Sequence, residues 1–195
     1  MVFGDCGYAA TTMEAVAEKA GISKGSIYNY FQNKKDLFKS VFLRSVTELE
    51  AQSRHILESK KPAVQRIDDL IEFWFNRLSY HKHIGQLVLE CWATAARQDE
   101  AGDLAVMPKD QFGVWRDQLS AVLRQGVEAG EFGQVNPAVA SSLMLAILNG
   151  VEVQLMLDVG LVVDVEFIEA LKRAIVSALR AGAGAPVRRE GESHE

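Results

Sequence analysis

TMEAVAEKAGISKGSIYNYFQNK, residues Thr12 to Lys34, predicts two short helices joined by a tight turn. Thr12 is placed to cap the first helix, whose apolar residues recur at helical spacing. Gly21 ends that helix, Ile22 is expected to fill the space between the helices, and Ser23 caps the second one. The stretch is therefore typical of a helix-turn-helix.

The second of these helices has two different faces. Ile27 and Phe31 are four residues apart and are expected to point inward. The opposite face carries small and polar residues, which are Lys24, Gly25, Ser26, Tyr28 and Asn29. Hydroxyls, an amide and a lysine pack poorly but suit phosphates and base edges, and glycine lets the backbone approach closely. This face therefore predicts a helix that reads nucleic acid.

The segment from Gly7 to Phe38, GYAATTMEAVAEKAGISKGSIYNYFQNKKDLF, closely resembles the DNA-binding segment of the TetR family of bacterial regulators. The resemblance combines the capped helix, the AGIS turn, SKGSIYNYF and NKKDLF in one register. It implies a double-stranded DNA operator as partner. The residues it assigns to phosphate contacts are Thr12, Lys24, Tyr30 and Lys34, and those it assigns to base edges are Ser26, Tyr28 and Asn29. Tyr30 lies nearer the core face, so a ring packed inside with its hydroxyl at the edge is an open alternative.

The start of the chain is short for this resemblance. TetR-like chains usually place a complete helix before the Gly-Tyr turn, whereas here only Met1 to about Cys6 precede it. We expect a natural start upstream of Met1, with a shortened first helix as the alternative.

Composition and charge limit the class of protein. The net charge of −5 argues against a protein that coats nucleic acid indiscriminately. Residues 21–45 carry five basic side chains and one acidic one, so positive charge is concentrated at the predicted reading helix. Cys6 and Cys91 have no metal-binding spacing, and we find no secretory signal and no apolar run near 18 residues. These features predict a cytoplasmic protein with reduced thiols and no membrane partner.

The rest of the chain predicts further helices. Asn33 opens a long helix, Asn136 and Pro137 open a helix that is apolar nearly all round, and Asp164 caps the last one. The predicted fold class is all-α, with a homeodomain-like helix-turn-helix DNA-binding domain followed by a helical ligand-binding and dimerisation domain. The expected bounds are 1–45, 46–180 and a disordered tail over 181–195.

The C-terminal half is similar to the TetR subgroup that includes the choline-responsive regulator of betaine synthesis. The similarity covers the architecture and carries no expectation about the identity of the effector. The family resemblance implies that the last two helices pair with a second copy, and that the body encloses a pocket for a small-molecule effector. Candidate lining residues are Trp74, Phe75, Trp92, Met107, Phe112, Trp115, Met144, Asn149 and Glu152. The alternative, favoured for each aromatic or methionine residue taken singly, is that it belongs to an ordinary core. Asn149 and Glu152 are better candidates because a buried polar group needs a partner, supplied by an effector or by the facing subunit.

Other kinds of site lack the required spacing. His81 and His83 lie two residues apart, on different sides of a helix, which disfavours a shared metal. We find no phosphate loop, nucleophile elbow or paired carboxylates, so the sequence predicts no catalytic residue, no cofactor and no enzyme. The function that fits best is a homodimeric, ligand-responsive transcriptional repressor on a palindromic operator. An activator of the same fold, or a helical dimer that no longer binds DNA, are the alternatives.

Overall fold

The structure is a computed structural model that describes residues 2–80, 82–96 and 106–182, without the side chains of 78–84, 94–96 and 106–109. Every regular element in these residues is a helix, which confirms the predicted all-α fold class. The helices are α1 (Val2–Ala10), α2 (Met13–Lys19), α3 (Lys24–Tyr28), α4 (Lys34–Leu57), α5 (Ala63–Tyr80), α6 (Lys82–Ala96), α7 (Val106–Glu128), α8 (Pro137–Met156) and α9 (Val165–Ala181).

Side-chain caps fix the starts of the helices around the helix-turn-helix. The Thr12 hydroxyl oxygen accepts a hydrogen bond from the Ala15 amide at 3.1 Å, and the Ser23 hydroxyl oxygen accepts one from the Ser26 amide at 3.0 Å. The side-chain oxygen of Asn33 likewise accepts a hydrogen bond from the Asp36 amide, at 2.9 Å. Each cap satisfies an amide that has no partner inside its helix. The three predicted caps are confirmed.

We call residues 2–45 the reading head; a core of aromatic residues holds it together. Phe38 of α4 is fully buried, and its ring meets those of Phe3 and Tyr8 edge-on, with centroids 5.1 and 5.0 Å away. α1 breaks at Gly7, whose φ of 75° lies in the left-handed region that favours glycine. The break turns Tyr8 back over the core, so Phe3 and Tyr8 both cover Phe38.

The interior of the reading head also includes residues from α6. Leu87, Val88 and Cys91 belong to the same buried cluster as Phe38 and Ile27. In addition, the backbone amide of Tyr8 donates a hydrogen bond to Oε1 of Glu90, at 3.2 Å. α6 therefore joins the reading head to the rest of the chain. The division near residue 45 remains a proposal, with α6 contributing to both sides of it.

α5, α7, α8 and α9, together with the end of α4, form a second and larger core that we call the body. The first amides of α5 are capped from a distant turn, because the Glu131 carboxylate accepts from the amides of Ala63 and Val64 at 3.0 and 2.9 Å. On the other side, Lys172 of α9 forms ion pairs with Glu72 of α5 and with Glu169. These polar contacts fix α5 to the turn that follows α7 and to α9.

α8 corrects one expectation from the sequence. It is 20 residues long with a mean hydropathy of 1.5 in its most apolar window, enough by length and composition to cross a membrane. The core helix of a soluble protein can have the same properties, and 33% of this window is buried. α8 packs along α7, where the hydroxyls of Ser120 and Ser141 hydrogen-bond at 2.9 Å. The expectation of no long apolar run is wrong because α8 has apolar residues on more than one face.

The predicted tail falls almost entirely outside the described residues. α9 continues to Ala181, and Gly182 follows it with a positive φ of 71°. Residues 183–195 lie beyond the described range, so their expected disorder stays a prediction.

Candidate DNA-binding and effector sites

The outer face of α3 is composed as the sequence predicts. Ile27 is buried in the head core and Phe31 packs against that core, whereas Lys24, Gly25, Tyr28 and Asn29 are exposed. Ser26 is half-buried, and its hydroxyl shares a hydrogen bond of 2.8 Å with that of Ser23. The exposed amide, phenol and lysine form a surface that can donate to phosphates and to base edges.

Lys24 is held by a neighbour on the other helix of the motif. Its ammonium forms an ion pair with Glu14 of α2, and both side chains are largely exposed. Hydrogen bonding to Glu14 raises the pKa of Lys24, so its positive charge is maintained. The pair orients Lys24, and it also places one carboxylate close to the same outer surface.

Ile22 lies differently from the sequence expectation, and the position of Tyr30 decides between its two alternatives. Ile22 is 42% exposed, because the buried space between α2 and α3 is filled by Ala17 and Ile27. The left-handed φ of 68° at Gly21 turns the chain before Ile22 can enter that space. Tyr30 is 78% exposed, so the alternative of a ring packed inside is wrong and its hydroxyl is available at the surface.

Lys34 is engaged within the reading head. Its ammonium donates to the backbone oxygens of Tyr8 and Ala9, at 2.9 and 3.0 Å, and lies 4.7 Å from the centroid of the Tyr8 ring. The Lys34 ammonium thus stabilises the turn that follows the break in α1, through these hydrogen bonds and its contact with the Tyr8 ring. An ammonium has three donors, so one remains for a phosphate.

Four of the predicted pocket residues form a continuous aromatic row through the body. Trp92 of α6 meets Phe112 of α7 with ring centroids 5.4 Å apart, and Phe112 meets Trp115 at 5.8 Å. Trp115 meets Trp74 of α5 edge-on at 5.5 Å. Trp74 and Trp115 line a small cavity of about 20 Å³, and neither of their ring N–H groups has a hydrogen-bond partner among the described residues. A cavity of this volume holds about one water molecule.

Other predicted lining residues lie elsewhere. Phe75 packs edge-on against Phe167 of α9, at a centroid distance of 6.2 Å. Met144 lines a groove between α8 and α9 on the outer surface of the body. Met107 is the second residue of α7, and its side chain lies outside the described ones. The row Trp92, Phe112, Trp115 and Trp74 is therefore the part of the predicted set that the fold brings together.

Asn149 and Glu152 of α8 carry buried polar atoms. Oδ1 of Asn149 is buried without a hydrogen-bond partner among the described residues. Glu152 is only 4% exposed, and burial raises its pKa to about 7, although the positive charge of Arg77 acts in the opposite direction. A carboxyl in this setting is largely protonated below neutral pH and loses its proton above it.

Glu152 should make the stability of the protein depend on pH. Its pKa rises from 4.5 to about 7 on folding, so the folded protein retains a proton that the unfolded chain releases. The associated stability is fully present below pH 4.5 and is lost as the pH rises through about 7. We expect Glu152→Gln to reduce the fall in unfolding free energy between about pH 5 and about pH 8 by roughly 2–3 kcal/mol. Urea unfolding at fixed protein concentration measures this, and parallel pH profiles for the two proteins would contradict it.

Arg66 and Gln118 also line pockets in the body, although neither was among the residues predicted from the sequence. A signal for Arg66 was present, because it lies three residues after Ala63 and four before Leu70 on the apolar stripe of α5. A charged residue at such a position indicates a buried charge that needs a partner.

Metal binding was also disfavoured from the sequence. Among the described residues there is no group of three or more histidine, cysteine or acidic residues that could hold an ion. His81 lies outside those residues, as does the side chain of His83, so the expectation for that pair stays a prediction.

Two family models match the chain. One, for bacterial regulatory proteins of the tetR family, matches residues 1–41. The other, for the C-terminal part of BetI-type transcriptional repressors, matches residues 63–181. The first covers the helix-turn-helix and the start of α4, and the second covers α5 to α9.

Curated relatives are regulators of transcription by name. The uncharacterised HTH-type regulator YhgD of Bacillus subtilis is 29% identical over 146 residues, spanning 73% of this chain and 72% of that protein. The HTH-type transcriptional repressor KstR2 of Mycobacterium tuberculosis is 31% identical over 140 residues, spanning 67% and 64%. The HTH-type transcriptional activator FasR of Mycolicibacterium smegmatis is 32% identical over 89 residues, spanning 46% and 41%. Two of these three alignments thus cover less than two thirds of the relative.

Solved structures have the same fold. The regulator FadR from Bacillus subtilis, in complex with stearoyl-CoA, superposes with a TM-score of 0.73 at 21% identity, over 94% of both chains. The fatty acid degradation regulator FadR from Bacillus halodurans superposes with a TM-score of 0.71 at 21% identity, over 96% of this chain and 90% of that one.

Proposed function

This chain belongs to the TetR family of bacterial regulatory proteins and is a transcriptional regulator, and we propose that it acts as a homodimeric, ligand-responsive repressor in the cytoplasm. The observation that carries the proposal is the exposed, hydrogen-bonding face of α3, set on a buried core by Ile27. A near-palindromic DNA operator is the partner that suits two such faces.

On the DNA, the residues of this face have different tasks. Lys24, Thr12 and Tyr30 contact phosphates, and Lys34 adds its remaining donor. The base edges are read by Ser26, Tyr28 and Asn29, and Gly25 lets the backbone of α3 approach the major groove. The exposure of Lys24, Tyr28, Asn29 and Tyr30 supports these roles.

A second copy of the chain covers the outer surface of α8 and α9. Val139, Leu143 and Ile147 are exposed and follow one another at four-residue spacing along α8, forming an apolar stripe. Next to the stripe, a groove of about 390 Å³ between α8 and α9 is lined almost entirely by apolar groups, including Leu171 and Ala174. Paired through this stripe, two chains form a four-helix bundle whose two-fold symmetry sets the reading heads about 34 Å apart.

The body binds a small-molecule effector. Support comes from the aromatic row and its cavity, and from Bacillus subtilis FadR, a protein of the same fold whose structure contains stearoyl-CoA. An effector that enters beside Trp74 and Trp115 must displace neighbouring helices, because the cavity holds only about one water.

The signal reaches the reading head through α6. Trp92 is the end of the aromatic row that lies on α6. The preceding turn of α6 supplies Leu87 and Val88 to the head core, and Glu90 accepts the hydrogen bond from the amide of Tyr8. Movement of α6 therefore repositions both heads relative to the operator. The effector releases DNA only if it binds the repositioned state more tightly than the DNA-bound state.

An activator is the second candidate. Among the relatives, KstR2 is called a repressor and FasR an activator, and the match to FasR includes less than half of this chain. Reporter expression from the target promoter in a deletion strain separates the two. Higher expression without the protein supports repression, and lower expression supports activation.

The roles of Lys24 and Asn29 are separated by two alanine substitutions. Lys24→Ala should weaken binding to all DNA and lower the salt-dependence slope by about one, and the Glu14 carboxylate left unpaired adds repulsion. Asn29→Ala should instead reduce discrimination between operator and random DNA by about 1–3 kcal/mol. Fluorescence anisotropy on DNA from upstream of the protein's own gene, at two salt concentrations, measures both.

Lys60→Ala is a matched control, because Lys60 is exposed beyond the end of α4, far along the chain from α3. It should leave both affinities unchanged. If Lys24→Ala and Asn29→Ala lower operator and random-DNA binding to the same extent, Asn29 does not read bases. If the unaltered protein shows no salt-sensitive binding to the upstream DNA or to random DNA, the upstream DNA does not contain its operator.

A further inference from the structure

Arg66 of α5 is a buried cation without an acidic partner in the part of the chain that the structure describes. Its side chain is 7% exposed, and Nη1 donates to the backbone oxygen of Leu57 at 2.9 Å and to Oε1 of Gln125 at 2.8 Å. Both acceptors are neutral, and no carboxylate of the described residues lies within ion-pair distance of the guanidinium. A buried charge is normally paired, because removing it from water is costly.

Arg66 lines a pocket of about 350 Å³ between the end of α4, the start of α5 and α7. We call it the Arg66 pocket. Its volume lies within the range of small-ligand sites, about 300–1,000 Å³. The wall is mixed, with Leu57 and Val122 as apolar members beside the polar side chains. The pocket is therefore suited to a ligand that has both polar and apolar parts.

Three buried polar atoms in the wall of the Arg66 pocket have no hydrogen-bond partner among the described residues. They are Nε of Arg66, Oγ of Ser59 and Oε1 of Gln118. Native proteins pair nearly all such atoms, with protein, water or ligand. Arg66 and Ser59 both donate, and the Gln118 amide can donate or accept according to which way it is turned. A ligand with several acceptor atoms would suit these residues of the wall.

Charge selects the kind of acceptor. Arg54 and Arg66 are the cations of the pocket wall, and Glu58 is its one acid. Arg54 already pairs with Glu50, and Glu58 is exposed, so Arg66 is the cation left to neutralise in the interior. The planar fork of a guanidinium fits carboxylate and phosphate oxygens best.

The Arg66 pocket adjoins the cavity beside Trp74 and Trp115, since Leu57 and Gln118 line both. We propose that the Arg66 pocket binds the oxyanion, a carboxylate or a phosphate, of an amphipathic effector whose apolar part extends past Leu57 towards Trp74 and Trp115. This assignment rests on the proposed function of the body as an effector-binding domain. The oxyanion neutralises Arg66, and the apolar part opens the small cavity and displaces the aromatic row.

The experiment compares three probes that share one apolar chain: decanoate, decyl phosphate and decanol, each below its micelle-forming concentration. Tryptophan fluorescence of the full-length protein reports binding, because Trp74 and Trp115 line the cavity. At least one of the anions should bind about tenfold or more tightly than decanol. A preference for decanoate alone or decyl phosphate alone identifies which oxyanion the pocket accepts.

Variants test whether the preference belongs to Arg66. Arg66→Met should bring anion affinity down to that of decanol, and Arg116→Met, an exposed arginine of α7 outside the pocket wall, should change nothing. Arg66→Met also removes the hydrogen bond to Leu57 and can lower stability, so Ala121→Glu serves as an independent variant. Ala121 is in the pocket wall, and a carboxylate there should occupy Arg66 and abolish anion preference.

The proposal is overturned if the unaltered protein binds decanol as well as the anions, or binds none of the probes. It is also overturned if anion preference survives in folded Arg66→Met and Ala121→Glu. Operator binding by the same samples without probe is measured in parallel. If the unaltered protein binds the operator tightly but shows no preference for anions, its function as a regulator stands and only the assignment of the Arg66 pocket is rejected. If the unaltered protein does not bind DNA, the result counts against the proposed function itself.

Discussion

Replacing Leu143 by glutamate should convert the protein to a monomer and lower its operator affinity by about a hundredfold or more. Leu143 is 60% exposed at the centre of the apolar stripe on α8, between Val139 and Ile147. In a two-fold interface the substitution occurs twice, so two carboxylates would be buried without partners. A monomer engages one half-site, and it loses the gain of about 10²–10⁴ that tethering a second head provides. Light scattering after size-exclusion chromatography measures the mass, and anisotropy measures the affinity.

Val162→Glu is the control for added charge, because Val162 is an exposed apolar residue in the connection between α8 and α9, outside the stripe. It should leave both mass and affinity unchanged. A Leu143→Glu protein that remains dimeric and binds the operator normally would exclude this stripe as the dimer interface.

Phe38→Ala should unfold the reading head while leaving the body folded. Phe38 is fully buried between Phe3 and Tyr8, and removing a buried phenylalanine costs about 3–5 kcal/mol. A small domain has little stability to lose, so its helices should open frequently. Hydrogen exchange should show loss of protection in α1 to α3 with protection retained in α5 and α8, and DNA binding should be lost.

Leu43→Ala on the same helix is the comparison, because Leu43 is an exposed side chain of similar chemistry. Its effect should remain below about 1 kcal/mol. Equal loss of protection in the two variants would mean that the Phe3, Tyr8 and Phe38 cluster does not hold the head together.

The reading head was largely predictable because the signals that form it are local. Thr12, Ser23 and Asn33 each cap through a side chain three residues from the amide it binds, and such spacing is visible in a sequence. The family resemblance is confirmed by the matches over residues 1–41 and 63–181. The position of Ile22 was missed because it depends on how the turn at Gly21 directs the chain, which periodicity does not report.

The effector site was less predictable because it depends on contacts between distant helices. Helical spacing shows that Trp74 and Phe75 face the interior, but not that one meets Trp115 and the other Phe167. In the same way, helical spacing does not show that Met144 lines a groove beside the stripe. The roles assigned to individual residues in DNA and effector binding remain predictions until the variants are measured.

The sharing of α6 between the two cores limits how this protein can be recombined with its relatives. A chimera cut near residue 45 would separate Phe38 and Ile27 from Leu87, Val88 and Cys91, leaving apolar surface uncovered on both pieces. The foreign body would then need its own helix to fill that space and a carboxylate in the place of Glu90. Transplanting operator specificity is therefore simpler by exchanging the exposed residues of α3 than by exchanging the whole head.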